Sequence, residues 1–193
     1  MSTKVFLFMG RPGAGKGVQS ELLSKVLGYP IFSTGVRVRE FAAEPTLLGK
    51  KIKEVSEEGG LVPFWFASYL FEEALFRLKD EEGIIFEGVG RKEPEARLFT
   101  EVNDWMGRDF KVIYLDTLEE TVIERLKKRR ATSGRTDDEG HKLQNRFDHY
   151  NAETVPALYF FRSLGRVIDI NGEQTPQEVH AEIMEKLKPF LTQ

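Results

Sequence analysis

The segment Gly10 to Gly17, GRPGAGKG, carries glycines at 10, 13, 15 and 17 and a lysine at 16 in the spacing G-x-x-x-x-G-K. Glycines let a backbone wrap closely enough for successive N–H groups to face one anion. Lys16 adds a fixed positive charge, and a helix starting there adds the positive end of its dipole. The chemistry that this combination suits is the cradling of phosphate. Arginines recur along the chain, and the planar fork of arginine matches phosphate oxygens. Arg125 and Arg129, four residues apart in ERLKKRR, share one helical face, while Leu118, Val122, Ile123 and Leu126 form the opposite stripe. Taken alone, this basic run would serve equally well as a solvated helix end favoured by the dipole, and Arg39 or Arg91 alone would suit a surface salt bridge. Glu87 and Asp116 close the apolar runs IIFE and VIYLD, positions from which a carboxylate can hold a divalent cation through its waters.

These groups need a scaffold, and the hydrophobic pattern supplies one. Apolar runs at Val5 to Phe8, Ile31 to Phe32, Ile84 to Phe86, Val112 to Leu115 and Val167 to Ile170 alternate with helical patterns. That alternation predicts an α/β fold, a parallel five-stranded sheet covered by helices on both faces. The first run leads into the glycine segment, and a helix with Val18, Leu22, Leu23, Val26 and Leu27 on one side follows it, the context a phosphate loop requires. TLEE at Thr117 to Glu120 and TPQE at Thr175 to Glu178 fit capping boxes at helix starts. NRFD at Asn145 to Asp148 resembles a guanine-binding motif, but it lies within a helical pattern rather than after a strand, and His141, His149 and His180 read as solvated helix residues.

Composition narrows the function classes. The chain has 193 residues, 40% hydrophobic and 31% charged, which suits one domain. A net charge of −3 provides no global attraction for nucleic acid or an anionic membrane, so neither is expected as a partner. Without cysteine there is no disulfide, thiolate nucleophile or cysteine zinc site, and the apolar run at the N-terminus is short for a signal peptide or membrane span. A cytoplasmic monomer is expected.

In GRPGAGKGVQ glycine, not serine or threonine, follows the lysine, and in this the chain resembles the adenylate kinase family of nucleoside monophosphate kinases. The resemblance extends through STG at Ser33 to Gly35, Arg39, GGLVP at Gly59 to Pro63, EGVGR at Glu87 to Arg91, TSGRTDD at Thr132 to Asp138, and Arg146. It implies a core of residues 1–33, 81–130 and 138–193, a helical acceptor-binding insert at 34–80, and a short lid at 131–137. It also implies reversible transfer of the ATP γ-phosphoryl group to a nucleoside monophosphate, most simply AMP, with Mg²⁺. ATP would lie on Gly10, Pro12, Gly13, Ala14, Gly15, Lys16, Gly17, Val18, Arg125, Arg129 and Gln174, with Arg125 over the base. The monophosphate would meet Thr34, Gly35, Arg39, Val62, Gly88, Arg91, Glu95, Arg135 and Arg146. Lys16, Arg91, Arg129, Arg135 and Arg146 would stabilise the transferring group, and Glu87 and Asp116 would hold Mg²⁺ through water.

Several positions depart from the family pattern. Val18 stands where threonine is usual, Glu87 where aspartate is, Val36 and Arg37 where aspartate and methionine are, and Glu95 where adenylate kinases commonly have the glutamine that reads adenine. An ionised carboxylate only accepts, which suits guanine's adjacent donors better than adenine N1. A UMP/CMP or GMP kinase of the same fold, or a nucleotide binder with weak or lost turnover, therefore stands beside the AMP kinase. The glycines at 59, 60 and 134 suggest hinges that let insert and lid close independently.

Overall fold

The computed structural model describes residues 4–133 and 140–191. Five parallel strands, β1 (Val5–Gly10), β2 (Ile31–Ser33), β3 (Ile84–Glu87), β4 (Phe110–Asp116) and β5 (Val167–Asn171), lie in the order β2-β3-β1-β4-β5. All five apolar runs are strands, extended by one to three residues where the sheet register continues. β1 is apolar on both faces and fully buried because it is the central strand.

The alternation of β1 divides the core. Val5, Leu7 and Met9 face one way, where Phe71, Leu75, Phe99, Phe110 and Phe161 pack against them. Phe6 and Phe8 face the other way, onto Leu23, Val122, Leu126, Phe147 and Ile183. The first layer is supplied by α4 (Phe64–Phe76), α5 (Glu93–Trp105) and α8 (Val155–Ser163), and the second by α1 (Lys16–Leu27), α6 (Glu119–Ser133), α7 (Gly140–His149) and α9 (Pro176–Leu191). Between α7 and α8 the helix widens into a π-helical turn, Tyr150–Thr154.

Between β2 and β3 stand α2 (Thr34–Ala43), α3 (Leu47–Glu57) and α4. They share a small core of Ile52, Val62, Phe66, Ala67 and Leu70. The far half of α4 also feeds Phe71 and Leu75 into the sheet core, so this helix ties the 34–80 segment to the main body.

The two capping boxes fare differently. Thr175 and Glu178 bond reciprocally, with Glu178 Oε2 accepting from the Thr175 amide at 3.0 Å and Thr175 Oγ1 accepting from the Glu178 amide at 3.4 Å. At TLEE the box does not form. Glu173, from the loop after β5, accepts from the Leu118 amide and the Thr121 hydroxyl at 2.7 Å each, while buried Thr117 Oγ1 has no partner. A carboxylate from a neighbouring loop outcompetes the local hydroxyl, which no single-segment pattern reveals.

Candidate active site

Open α/β sheets bind ligands beyond the carboxyl ends of their strands, and β1 ends there in the glycine loop. Gly10 has φ 144°, and a Cβ on it would sit 2.8 Å from Leu115 O; at Gly13, with φ 88°, a Cβ would meet Leu126 Cγ at 2.8 Å. Glycine is required at both positions by conformation and by close approach. Lys16 opens α1 and turns back, its Nζ donating to Gly10 O and Arg11 O at 2.8 Å each. The lysine thus bonds to the loop's own carbonyls.

Those carbonyls favour the ammonium, but its surroundings oppose it. Burial first, then Arg91, then Arg146 and Arg129, push the Lys16 pKa down to about 7, with Glu87 the opposing carboxylate. The Arg91 pKa is likewise lowered, by burial and then by Arg146, against Glu95 and Glu87. Four cations expected on separate elements are therefore gathered at one place. Such crowding is unfavourable in the protein alone and becomes favourable when several negative charges occupy the centre.

They line a cavity of ≈ 1200 Å³, more than one small ligand ordinarily fills. Its lining includes Gly10, Pro12 to Val18, Arg125, Arg129 and Gln174, together with Thr34, Gly35, Arg39, Val62, Gly88, Arg91, Glu95 and Arg146. The structure thus brings together every expected nucleotide-site residue it describes. Arg135 and most of the expected lid lie outside the described residues. Gln174 is held by its amide to Glu182 Oε2 at 2.7 Å and Asn171 O at 3.3 Å. Thr34 is buried, with its hydroxyl unpartnered.

The carboxylates separate. Glu87 faces the loop, its oxygens 3.7 and 3.8 Å from a Cβ placed on Gly17, and it belongs to the cavity lining. Asp116 is exposed and not among the lining residues; its charge instead acts on Tyr150 and Arg162. Val18 lines the cavity and is 49% exposed, leaving an apolar surface where a hydroxyl could stand. Of the pair after STG, Val36 lines the cavity, while Arg37 pairs with Glu40 at 2.5 Å and covers the Phe41 ring.

Glu95 has a different environment from either a base or solvent. It is 2% exposed, and Oε1 accepts from the Gly90 amide at 2.8 Å while Oε2 accepts from the Arg91 amide at 3.2 Å. Burial raises its pKa to about 7 in spite of those donors, the Lys92 amide and Arg91.

Sequence reasoning missed a second group. The Arg11 guanidinium lies over the Tyr150 ring, 5.0 Å from its centroid, and the Tyr150 hydroxyl meets that of Tyr114 at 3.0 Å. Burial and Tyr114 raise the phenol's pKa. His149 and Tyr150 line the cavity, although His149 was expected to be a solvated helix residue. Gln19 Nε2 donates to Pro176 O at 2.8 Å, fastening α1 to α9. Gly59, with φ 74°, brings the chain just after α3 against α7: a Cβ there would lie 2.4 Å from Lys142 O. Asn145 Nδ2 donates to Glu58 O at 2.9 Å, and His141 Nε2 lies 3.1 Å from Glu58 Oε2. Gly59 is thus demanded by close packing on α7, not only by hinge freedom.

Comparison with known proteins agrees with this geometry. Residues 8–166 match the family model described as adenylate kinase. An adenylate kinase of Parabacteroides distasonis is 34% identical over 93% of this chain and 95% of its own. Adenylate kinase 1 of a Nostoc species is 33% identical over 92% and 95%, and human adenylate kinase isoenzyme 1 is 30% identical over 94% and 92%. Fold, phosphate loop, cation cluster and similarity over nearly the whole length together place this chain in the adenylate kinase family.

Proposed function

We propose that the protein catalyses ATP + AMP ⇌ 2 ADP. The observation that carries this reading is the convergence of Lys16, Arg91, Arg129 and Arg146 in one cavity that the phosphate loop and residues of the 34–80 segment both line. A donor bound on the loop and an acceptor bound by Thr34, Arg39 and Arg91 would direct their phosphates at that cluster. Lys16 would exchange the loop carbonyls for phosphate oxygens. Arg125 would cover the ATP base, Arg129 and Arg146 would contact the transferring group, and Arg39 and Arg91 would hold the acceptor phosphate. Arg135 is assigned to the same group by resemblance. In-line transfer needs no covalent enzyme intermediate, so these residues act by positioning and by offsetting charge in the transition state.

Glu87 fits Mg²⁺: it is a hard oxygen donor facing the phosphate loop, and this ion usually keeps waters and phosphate oxygens around one or two carboxylates. When bound, the ion would neutralise phosphate charge. Asp116 would contribute only through intervening water. The location is proposed to be cytoplasmic and the protein a monomer.

The test is an acceptor screen with ATP, Mg²⁺ and each nucleoside monophosphate, following nucleoside diphosphate formation. AMP should be the preferred acceptor. Preference for UMP, CMP or GMP would move the substrate within the family, and binding of ATP with no acceptor phosphorylated even at high Mg²⁺ would sink the enzyme reading.

A further inference from the structure

The turn between β3 and α5 delivers Arg91 to the cavity, and its shape is held from two sides. Gly88 has φ 82°, and the Arg91 guanidinium folds over it, Nη2 lying 2.7 Å from where a Cβ would be. Gly90 has φ 66° and rests on the Phe161 ring, 3.0 Å from a Cβ position. On the opposite side the amides of Gly90 and Arg91 converge on the Glu95 carboxylate. Lys92 is the N-cap of α5 and Pro94 lies in its first turn, which puts Glu95 at the third helical position. From there a glutamate reaches back to the amides that precede the helix. Successive amides around an anion form a nest; here the anion is the chain's own. With an amide on each oxygen and 2% exposure, the Glu95 carboxylate is held by the backbone of this turn.

We propose that Glu95 is a positioning residue for the acceptor phosphate: by seating in the amides of Gly90 and Arg91 it sets the turn that aims the Arg91 guanidinium. This rests on the assignment of Arg91 to the acceptor phosphate made above. It also separates two roles that one side chain could take. A base reader changes the choice between acceptors, whereas a residue that orients a phosphate arginine changes all monophosphates alike.

The experiment uses the full-length enzyme with Glu95→Gln and Glu95→Ala. Glutamine keeps one acceptor, so the Gly90 bond can survive, but the charge goes and an NH₂ faces the Arg91 amide; alanine loses both bonds. Measured are kcat/KM for AMP and for GMP, KM for ATP, and amide hydrogen exchange across residues 88–92. Glu95→Gln should lower kcat/KM about tenfold for both acceptors, the scale of one charge-assisted hydrogen bond, and Glu95→Ala should lower it further. The AMP-to-GMP ratio and KM for ATP should stay constant, and exchange at 88–92 should quicken. A merely structural defect would lower the folded fraction and disturb the ATP side equally. A tenfold change in the AMP-to-GMP ratio would make Glu95 a base reader and overturn the proposal, as would parental kcat/KM and exchange in a folded variant. If Glu95→Ala fails to fold, the glutamine variant decides by the same criteria. If the parent phosphorylates no monophosphate, the assignment of function fails separately, and exchange alone decides the anchor: quickening supports it, and parental exchange overturns it.

Discussion

A buried lysine poised near neutrality predicts that ATP binding takes up a proton. Before binding, Lys16 is held to a pKa of about 7 by burial and by Arg91, Arg146 and Arg129. A polyphosphate at the cluster outweighs those arginines and returns the amine towards its ordinary range, so it becomes charged throughout. The free amine is about one-tenth protonated at pH 8, one-half at pH 7 and nine-tenths at pH 6. Uptake should therefore approach about 0.9 proton per ATP at pH 8, fall to about 0.5 at pH 7 and to about 0.1 at pH 6, the linkage that follows from a group whose pKa differs between two states. The assay is titration calorimetry of a non-hydrolysable ATP analogue at pH 8, in buffers of different ionisation enthalpy. The slope of observed heat against buffer enthalpy counts protons. Lys16→Met serves as the subtraction, because the analogue's phosphates are ionised at that pH in both proteins. A slope near zero, or the same slope in Lys16→Met, would refute the electrostatic reading of the cluster.

Lys16→Met should also reduce turnover by orders of magnitude, measured as initial rates, because the lost charge acts most strongly on the transition state. The ligand-free variant should unfold at no lower temperature than the parent near pH 7: with the native pKa depressed from 10.5 to about 7, the unfolded chain binds more protons in that window, so the lysine's contribution to stability rises with pH across it. Val18→Thr should raise kcat or lower the Mg²⁺ concentration needed for half activity, by up to about tenfold for one restored polar contact; a Mg²⁺ titration identical to the parent's would remove the hydroxyl from the account. Gly59→Ala sets a Cβ against Lys142 O at a positive φ, and should speed hydrogen exchange in α3 and α7 together. Faster exchange in α3 alone would show that the two segments are not coupled there.

What could be read in the sequence shares one property: each signal is local. The strands announced themselves as apolar runs, and the loop at Gly10 to Gly17 depends on backbone freedom, which residue type alone dictates at Gly10 and Gly13. Thr175 and Glu178 cap their own helix, so their spacing sufficed. The failures are contacts made across the chain. Glu173 takes the cap expected of Thr117 from 52 to 55 residues away. Arg11 finds Tyr150 only after β1 and the π-helical turn are brought to the same edge. Asp116, like Glu87, ends an apolar strand, but it falls outside the cavity lining, a difference that strand-end position does not encode. Glu95 shows the subtlest case: resemblance directed attention to the base rather than to the amides one turn back.

The widened turn at Tyr150–Thr154 governs which side of the sheet a continuous helix can serve. Upstream, Leu143 and Phe147 of α7 pack with Phe6 and Phe8; downstream, Ala157, Leu158 and Phe161 of α8 pack with Val5, Leu7 and Met9. One helical rod thus contributes to both hydrophobic layers. A regular α-helix advances 100° per residue, and a π turn absorbs about one residue more than an α turn, so the bulge works as a phase shifter between the two halves. Chain length in this stretch is consequently a structural quantity in its own right. Removing a single residue would restore regular winding and rotate either Phe147 away from one layer or Phe161 away from the other, whereas substitutions that preserve the count would keep both faces in register.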